Sequence, residues 1–267
     1  MIKVIVCGGC GKMGSKVAQL ICQDKETELT GIIESSSHPD MGKDWGVTLG
    51  MGETGIFIND NLEDIIRNAD QIVEFTNPQV SLEHLKIISK YKKPMIMGTT
   101  GFSSKEIEII NQLAQGIPFL LSPNMSLGVN ILFKLAAETA AALGDNYDIE
   151  IVETHHRFKK DAPSGTAKKL AQQIAKIKGI NLDEAVIYGR EGIVGERKKG
   201  EICIHSIRGG DISGEHTVIF STLGERLELT HKAHSRDTFA YGTIQAIKFM
   251  KDKPAGFYQM KDVLKIK

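Results

Sequence analysis

Ile2-Lys3-Val4-Ile5-Val6-Cys7-Gly8-Gly9-Cys10-Gly11-Lys12-Met13-Gly14 opens the chain, and its reading decides the fold. Residues 2–6 form a short apolar, β-rich run. Glycines follow at G-x-G-x-x-G spacing (Gly9, Gly11, Gly14), and at G-x-x-G-x-x-G spacing from Gly8. Val17, Leu20 and Ile21 then recur with helical periodicity. A strand, a glycine turn and a helix in this order suit a dinucleotide. Glycine allows a tight turn and a close approach of backbone N–H groups to pyrophosphate, and the helix start adds positive partial charge. A purely structural glycine turn is the plainer alternative. Glu34 supports the first reading, because it ends the second strand-like run about 20 residues after the last glycine, where a carboxylate accepts from ribose hydroxyls. The predicted cofactor cradle is therefore Gly8, Gly9, Cys10, Gly11, Lys12, Met13 and Glu34. Glu34 would repel a 2′-phosphate, and Ser35-Ser36-Ser37 supplies no arginine to hold one, so NADH is the expected preference over NADPH.

Further along, strand-like and helix-like segments alternate. Runs at 29–33, 71–75, 95–97 and 119–121 read as strands, and 78–90 and 103–114 as helices; 35–55 reads as a long loop. Such alternation predicts an α/β fold: a Rossmann-type dinucleotide-binding domain with a parallel sheet covered on both faces. After about Ser126 the pattern changes. A long alanine-rich helix over 127–143 leads to a strand at 147–153, a polar stretch, a helix over 166–178 and three strand-like runs near 201–207, 216–221 and 226–231. Strands joined without helices predict a smaller α+β domain with a mixed sheet. A last helix covers 238–250. The expected division is 1–126 with 240–267 for the dinucleotide, and 127–239 for substrate binding and oligomerisation.

Thirty-three basic residues balance 33 acidic ones. A chain without net charge is a poor fit to a nucleic-acid or membrane-surface protein, so any positive patch is local and suits a small anion. No apolar run approaches the roughly 20 residues that cross a bilayer, and the N-terminus lacks the layout of a signal peptide. A cytoplasmic protein is expected, with Cys7, Cys10, Cys22 and Cys203 as thiols. Cys7-x-x-Cys10 and His231-x-x-His234 imitate metal pairs, but neither has a second set of ligands nearby in sequence, so no metal is expected. His205, His216 and His231 read as structural histidines on strands, Met41 and Met51 as loop packing, and Trp45 carries no reading.

The densest chemistry lies in Glu153-Thr154-His155-His156-Arg157-Phe158-Lys159-Lys160-Asp161-Ala162-Pro163-Ser164-Gly165-Thr166-Ala167. Two histidines and three basic residues fall within 155–160, and Ser-Gly-Thr opens a helix. Helix N–H groups and hydroxyls suit a carboxylate, and histidine and lysine can hold another or deliver a proton. A solvated basic loop before a capped helix is the bland alternative.

This run resembles the signature E-x-H-H-x-x-K-x-D-x-P-S-G-T-A of the 4-hydroxy-tetrahydrodipicolinate reductase (dihydrodipicolinate reductase) family, at every fixed position. Gly98-Thr99-Thr100-Gly101 resembles its nicotinamide segment, Asn124-Met125-Ser126-Leu127-Gly128-Val129-Asn130 its N-x-S-x-G-V-N run, and 210–217, 224–232 and 235–240 its C-terminal runs. The resemblance spans essentially the whole chain. It implies hydride transfer from a nicotinamide to a cyclic imine with two carboxylates, giving tetrahydrodipicolinate in lysine and diaminopimelate biosynthesis. It implies that Gly98, Thr99 and Thr100 contact the nicotinamide side of the cofactor, with Ser122, Pro123, Asn124 and Met125 lining its other face. It makes His155 the proton donor, Lys159 a second donor or carboxylate anchor, and His156, Gly165 and Thr166 carboxylate binders. It also implies a homotetramer. The chain departs from the family at Cys10, where many members have glycine, at Ser35, where NADPH users often have arginine, and at Ser122-Pro123, where many have Ala-Ala. Two other readings stand beside it: another Rossmann dehydrogenase of the aspartate pathway, for which only Cys203 is a possible substrate-domain nucleophile, and a non-catalytic dinucleotide sensor.

Overall fold

The computed structural model describes residues 1–266. The elements run β1 (Ile2–Cys7), α1 (Gly14–Gln23), β2 (Thr27–Ile33), α2 (Trp45–Thr48), β3 (Ile58–Asn59), α3 (Leu62–Ile65), β4 (Gln71–Glu74), α4 (Pro78–Lys90), β5 (Met95–Met97), α5 (Ser104–Leu113) and β6 (Pro118–Leu121). Then come α6 (Leu127–Leu143), β7 (Asp148–His155), α7 (Gly165–Lys178), α8 (Leu182–Ala185), β8 (Val186–Tyr188), β9 (Ile202–Arg208), β10 (Gly214–Thr222), β11 (Glu225–Ala233), α9 (Asp237–Met250), β12 (Gly256–Tyr258) and α10 (Met260–Val263). The chain divides into two compact units, one of Met1–Ser126 with the chain from Phe239 onward, the other Leu127–Thr238.

The first unit carries a seven-stranded sheet in the order β12-β6-β5-β4-β1-β2-β3, parallel at every pairing. Helices cover both faces of such a sheet, so its strands read as continuous apolar runs. Val4, Ile5, Val6 and Cys7 are all fully buried, as are Met95, Ile96 and Met97. The strand order reverses between β1 and β4, and ligands bind outside the carboxyl ends of the strands at such a switch point. The loops after β1, β2, β4, β5 and β6 all leave from those ends. Local chemistry fixes the helix starts: Asn77 accepts from Val80 N–H ahead of Pro78, and Ser103 and Glu106 form a reciprocal capping box on α5.

The structure corrects the reading of 35–55 as loop alone. Asp44 accepts from the N–H groups of Val47, Thr54 and Gly55 and from the Thr54 hydroxyl. That single carboxylate folds the segment around α2 and buries Trp45 completely. Met51 is exposed rather than packed. Strands β3, β8 and β12 escaped the sequence reading because runs of two or three residues show no periodicity.

The second unit has a mixed sheet in the order β11-β10-β7-β9-β8. β10 is antiparallel to β7 and β11, while β7, β9 and β8 run parallel. Its inward residues pack with α6 and α7: Ile149, Ile151, Ile202, Ile204, Val218 and Phe220 meet Phe133, Ala136, Leu170 and Ile174. α6 with its following turn, Leu127–Asn146, is 20 residues long and apolar enough to cross a membrane by length and composition, which corrects the expectation that no run approaches that length. Here Val129, Leu132, Phe133, Ala136 and Ala140 lie in the core of the unit, and a core helix of this kind passes the same test. Phe133→Ala is expected to destabilise the protein by about 3–5 kcal/mol, measured by denaturant unfolding; a change below about 1 kcal/mol would show that α6 is not held by this core.

Candidate active site

In the first unit the glycine turn leaves β1. Gly8 has φ +77°, and a Cβ there would stand 2.5 Å from the Phe75 carbonyl oxygen. A Cβ at Gly14 would stand 2.0 Å from the Gly8 oxygen. Both positions therefore exclude any side chain, and the turn closes directly onto the start of α1. That cradle fits a pyrophosphate, which needs bare backbone and a helix N-terminus. Glu34 follows β2, where its carboxylate accepts from Cys10 N–H at 3.2 Å and Ser35 N–H at 3.1 Å. The loop is thus tied to Glu34 on one side. Trp45 ties it on the other: its indole N–H donates to the Gly9 carbonyl at 3.0 Å. Burial pushes the Cys10 thiol up to about 11, with Glu34 adding to the shift, so the thiol stays protonated.

The segment 98–101 leaves β5 and 122–125 leaves β6, and these strands are neighbours with Met97 opposite Leu121. Gly98 is forced by the Phe75 ring, which a Cβ would approach to 2.1 Å. Thr99 is buried and Thr100 exposed. Ser122 donates to the Asn124 carbonyl at 2.8 Å, and Asn124 Oδ1 accepts from Ser126 N–H at 2.9 Å, fixing a tight turn that buries Met125 and leaves Pro123 exposed.

The second unit concentrates its polar groups at one end of its sheet. Cross-strand pairs between β7 and β10 run Ile149–Phe220, Ile151–Val218 and Glu153–His216. The first two pairs are core, and the third continues the same inward row with a carboxylate and an imidazole. Glu153 is completely buried. Arg208 on β9 binds it with two N–H···O contacts of 2.9 and 2.8 Å, Ser164 N–H donates to it at 3.1 Å, and His155 Nδ1 bonds its Oε2. Burial pushes Glu153 up, but Arg208, Ser206 and His155 outweigh it and hold the carboxyl at about 2. His155 is lowered by burial, against the pull of Glu153, with Lys159 and Arg208 adding to the descent. Nδ1 is committed to Glu153, and the other ring nitrogen, Nε2, sits 3.1 Å from where a Cβ on Gly214 would stand. A side chain there would crowd that nitrogen.

His216 meets the His155 ring edge to face at 5.2 Å, and its Nε2 lies 3.0 Å from Ser164 Oγ. Burial pushes it down to about 3, helped by His155. Ser164 also caps α7 by accepting from Ala167 N–H, so its hydroxyl is committed rather than offered to a ligand. Gly165 and Thr166 are the first residues of α7, and Gly165 is exposed with open space around it. Lys159 pairs with Asp161 at 2.9 Å, and Nδ1 of His156 is buried with no hydrogen-bond partner among the described residues.

The structure thus gathers His155 with the start of α7, and it shows what the sequence reading missed. His216, read as structural, belongs to this cluster. Glu153 and Arg208 are its electrostatic frame, Trp45 braces the glycine loop, and Glu74 lies beneath the loop after β5. Glu153 was legible as the first letter of the E-x-H-H run; the others carry no local signal. Two sets of possible metal ligands also meet, Cys7 with Glu74 and His84, and Glu150 with Cys203 and His205. They are not the pairs suggested by spacing, and each carboxylate is already engaged, Glu74 by His84 and Glu150 by Arg190, Arg197 and His205.

Comparison with known proteins agrees in both halves. Residues 2–125 match the family described as dihydrodipicolinate reductase, N-terminus, and residues 128–264 the family described as dihydrodipicolinate reductase, C-terminus. A 4-hydroxy-tetrahydrodipicolinate reductase of Syntrophus aciditrophicus (strain SB) is 50% identical over 99% of this chain and 98% of its own. One from Geotalea uraniireducens (strain Rf4) is 44% identical over 99% of both. The solved structure of a dipicolinate-bound dihydrodipicolinate reductase from Paenisporosarcina sp. TG-14 superposes with a TM-score of 0.77 over 97% of both chains, at 25% identity.

Trp45→Phe removes the indole donor and is expected to weaken NADH binding about fivefold to tenfold, the worth of one buried hydrogen bond; an unchanged Kd by calorimetry would sink its bracing role. Neutral His216 stabilises the fold above the ordinary histidine value of 6.5, and that stability is lost as pH falls toward 3. The melting temperature of the wild type is therefore expected to fall by several degrees between pH 6.5 and 4.5, and His216→Gln to flatten that decline. A decline equally steep in the variant would assign it to other groups.

Proposed function

The chain belongs to the dihydrodipicolinate reductase family, and from that premise we infer that it reduces 4-hydroxy-tetrahydrodipicolinate to tetrahydrodipicolinate with a nicotinamide dinucleotide, in lysine and diaminopimelate biosynthesis. It is an NAD(P)H-dependent oxidoreductase. The observation that carries the reading is the Glu153–His155 pair at the end of β7, joined to the start of α7 through Ser164 N–H, a proton-handling group set beside helix N–H groups that suit a carboxylate.

The roles we assign follow from this chain's own groups. A bound reduced nicotinamide supplies the hydride. His155 delivers a proton from Nε2, because Glu153 holds Nδ1 and stabilises the imidazolium, while burial lowers its pKa and so makes it readier to release the proton. Lys159 and His156 hold one substrate carboxylate, with the orphaned His156 nitrogen gaining a partner on binding. Gly165 N–H and the Thr166 hydroxyl hold the other. The dipicolinate-bound relative supports a small dicarboxylate of this kind. We assign the cofactor to Gly8, Gly9, Cys10, Gly11, Lys12, Met13 and Glu34, with Gly98, Thr99, Thr100 and 122–125 toward the nicotinamide. NADH is the preferred form, supported by the Glu34 carboxylate standing against the loop and by the absence of arginine at 35–37; NADPH remains a usable second.

We further propose residues 1–126 with 240–267 as the dinucleotide domain and 127–239 as the substrate and oligomerisation domain. A homotetramer is supported by the sheet face turned away from α6 and α7, where Val152, Ile207 and Ile219 are not buried. A cytoplasmic location is supported by four cysteines that are all free thiols.

Substrate generated in situ from pyruvate and aspartate semialdehyde by a synthase should be reduced with oxidation of NADH, and more slowly of NADPH. His155→Ala and Lys159→Ala are each expected to lower kcat/KM by about 10²-fold or more, with NADH binding retained by calorimetry. Full turnover in both variants would overturn the site assignment. No oxidation by a wild-type protein that still binds NADH would favour a dinucleotide sensor.

A further inference from the structure

Arg208 is the last residue of β9, and its guanidinium joins separate parts of the site. Its two terminal nitrogens divide the buried Glu153 carboxylate: Nη1 donates to Oε2 at 2.9 Å and Nη2 to Oε1 at 2.8 Å. Nη2 also donates to the Asp161 carbonyl at 2.7 Å, and Nη1 to the Ile207 carbonyl at 2.8 Å. All four terminal N–H groups are therefore engaged. Backbone pairing fixes where the side chain starts from. Arg208 lies opposite His155 in the parallel pair of β7 and β9, and Gly209 N–H donates to the His155 carbonyl at 3.0 Å.

Glu153 Oε2 accepts from Arg208 Nη1 and from His155 Nδ1, so guanidinium and imidazole share one oxygen. A cation on the carboxylate offsets the pull that the carboxylate exerts on a protonated imidazole. His155 is accordingly set by opposing groups. Burial, Lys159 and Arg208 lower it, and Glu153 on its own strand raises it. His216 on β10 meets its ring, and Asp161 pairs with Lys159 at 2.9 Å. Arg208 bonds both Glu153 and the backbone of the loop that carries Lys159.

We propose that Arg208 is a positioning residue with two effects: it limits the hold of Glu153 on the His155 imidazolium, and it ties down the loop that presents Lys159. The inference rests on the reading of His155 as proton donor and Lys159 as carboxylate anchor. A planar fork of fixed donors can serve both ends, whereas an ammonium is a point charge on one atom. Arg208→Lys therefore keeps a charge beside Glu153 but releases Asp161. Arg208→Gln removes the charge as well.

Three readouts test it: the titration of His155 by NMR of histidine-labelled, ligand-free protein, the pH profile of kcat/KM, and the Kd of dipicolinate, a stable dicarboxylate probe, by calorimetry with NADH present. A proton donor loses activity as pH rises through its titration. Without the Arg208 charge, Glu153 pulls harder and that titration rises. Arg208→Gln should therefore move both the NMR titration and the alkaline limb of kcat/KM to higher pH. It should also weaken dipicolinate about tenfold, the worth of a hydrogen bond from a charged donor. Arg208→Lys should weaken dipicolinate similarly with both pH readouts at their wild-type positions; it serves if the glutamine variant does not fold, and a titration that rises in it overturns the part assigned to charge. An unmoved His155 titration in Arg208→Gln, with activity lost evenly across pH, overturns the control of Glu153 and leaves Arg208 a structural role. A titration that moves while the kinetic limb stays upholds Arg208 and overturns His155 as the proton donor. Wild-type dipicolinate affinity in Arg208→Lys, with binding weakened in Lys159→Ala, overturns the tie to the loop. Wild-type affinity in both overturns Lys159 as the anchor, and the tie falls with it.

Discussion

The second unit is organised by one buried charge. Glu153 sits in the inward row of a sheet, where an isolated carboxylate would cost several kcal/mol, and four partners from three elements make it tolerable. Arg208 and Ser206 come from the neighbouring strand β9, Ser164 from the start of α7, and His155 from the same strand two residues on. Each partner is thereby fixed in space. Arg208 also donates to the Asp161 carbonyl at 2.7 Å, so the loop that carries Lys159 is held by the same guanidinium. Removing Arg208 would do more than delete a salt bridge, because it would leave the charge buried and the loop untied.

The first unit repeats the device with a different purpose. Glu74 ends its strand, is also completely buried, and is also bonded by a histidine. There the surrounding hydroxyls lead toward Thr99. In both units the carboxylate lies where the apolar row of a strand gives way to a loop. A polar group at that point can be satisfied by backbone and side chains that have left the sheet, and satisfying it orders the loop.

The glycine turn is braced by different means. Its glycines remove side chains that would strike the Phe75 and Gly8 carbonyls, and that emptiness by itself would leave a loose loop. Glu34 and Trp45 hold it through backbone hydrogen bonds on either side. Trp45 reaches that position only because Asp44 gathers the donors of 47, 54 and 55 into one turn.

The sequence alone determined the parts that are local. The parallel sheet was readable because doubly covered strands are unbroken apolar runs, and the dinucleotide cradle because tight approach of backbone permits only glycine at fixed spacings. His155, Lys159, Gly165 and Thr166 were legible as candidates because they fall within the twelve residues 155–166, as short recognition loops often do. What only the tertiary structure decided depends on register. That His216 lies opposite Glu153 follows from an antiparallel pairing across more than 60 residues, and Arg208 reaches the same carboxylate through a parallel pairing with β7. A shift of one residue in either register would turn these side chains to the opposite face of the sheet. Trp45 shows the same limit at shorter range: a lone indole in a polar loop has no periodicity to read, and its meaning comes from the carbonyl 36 residues away that it bonds.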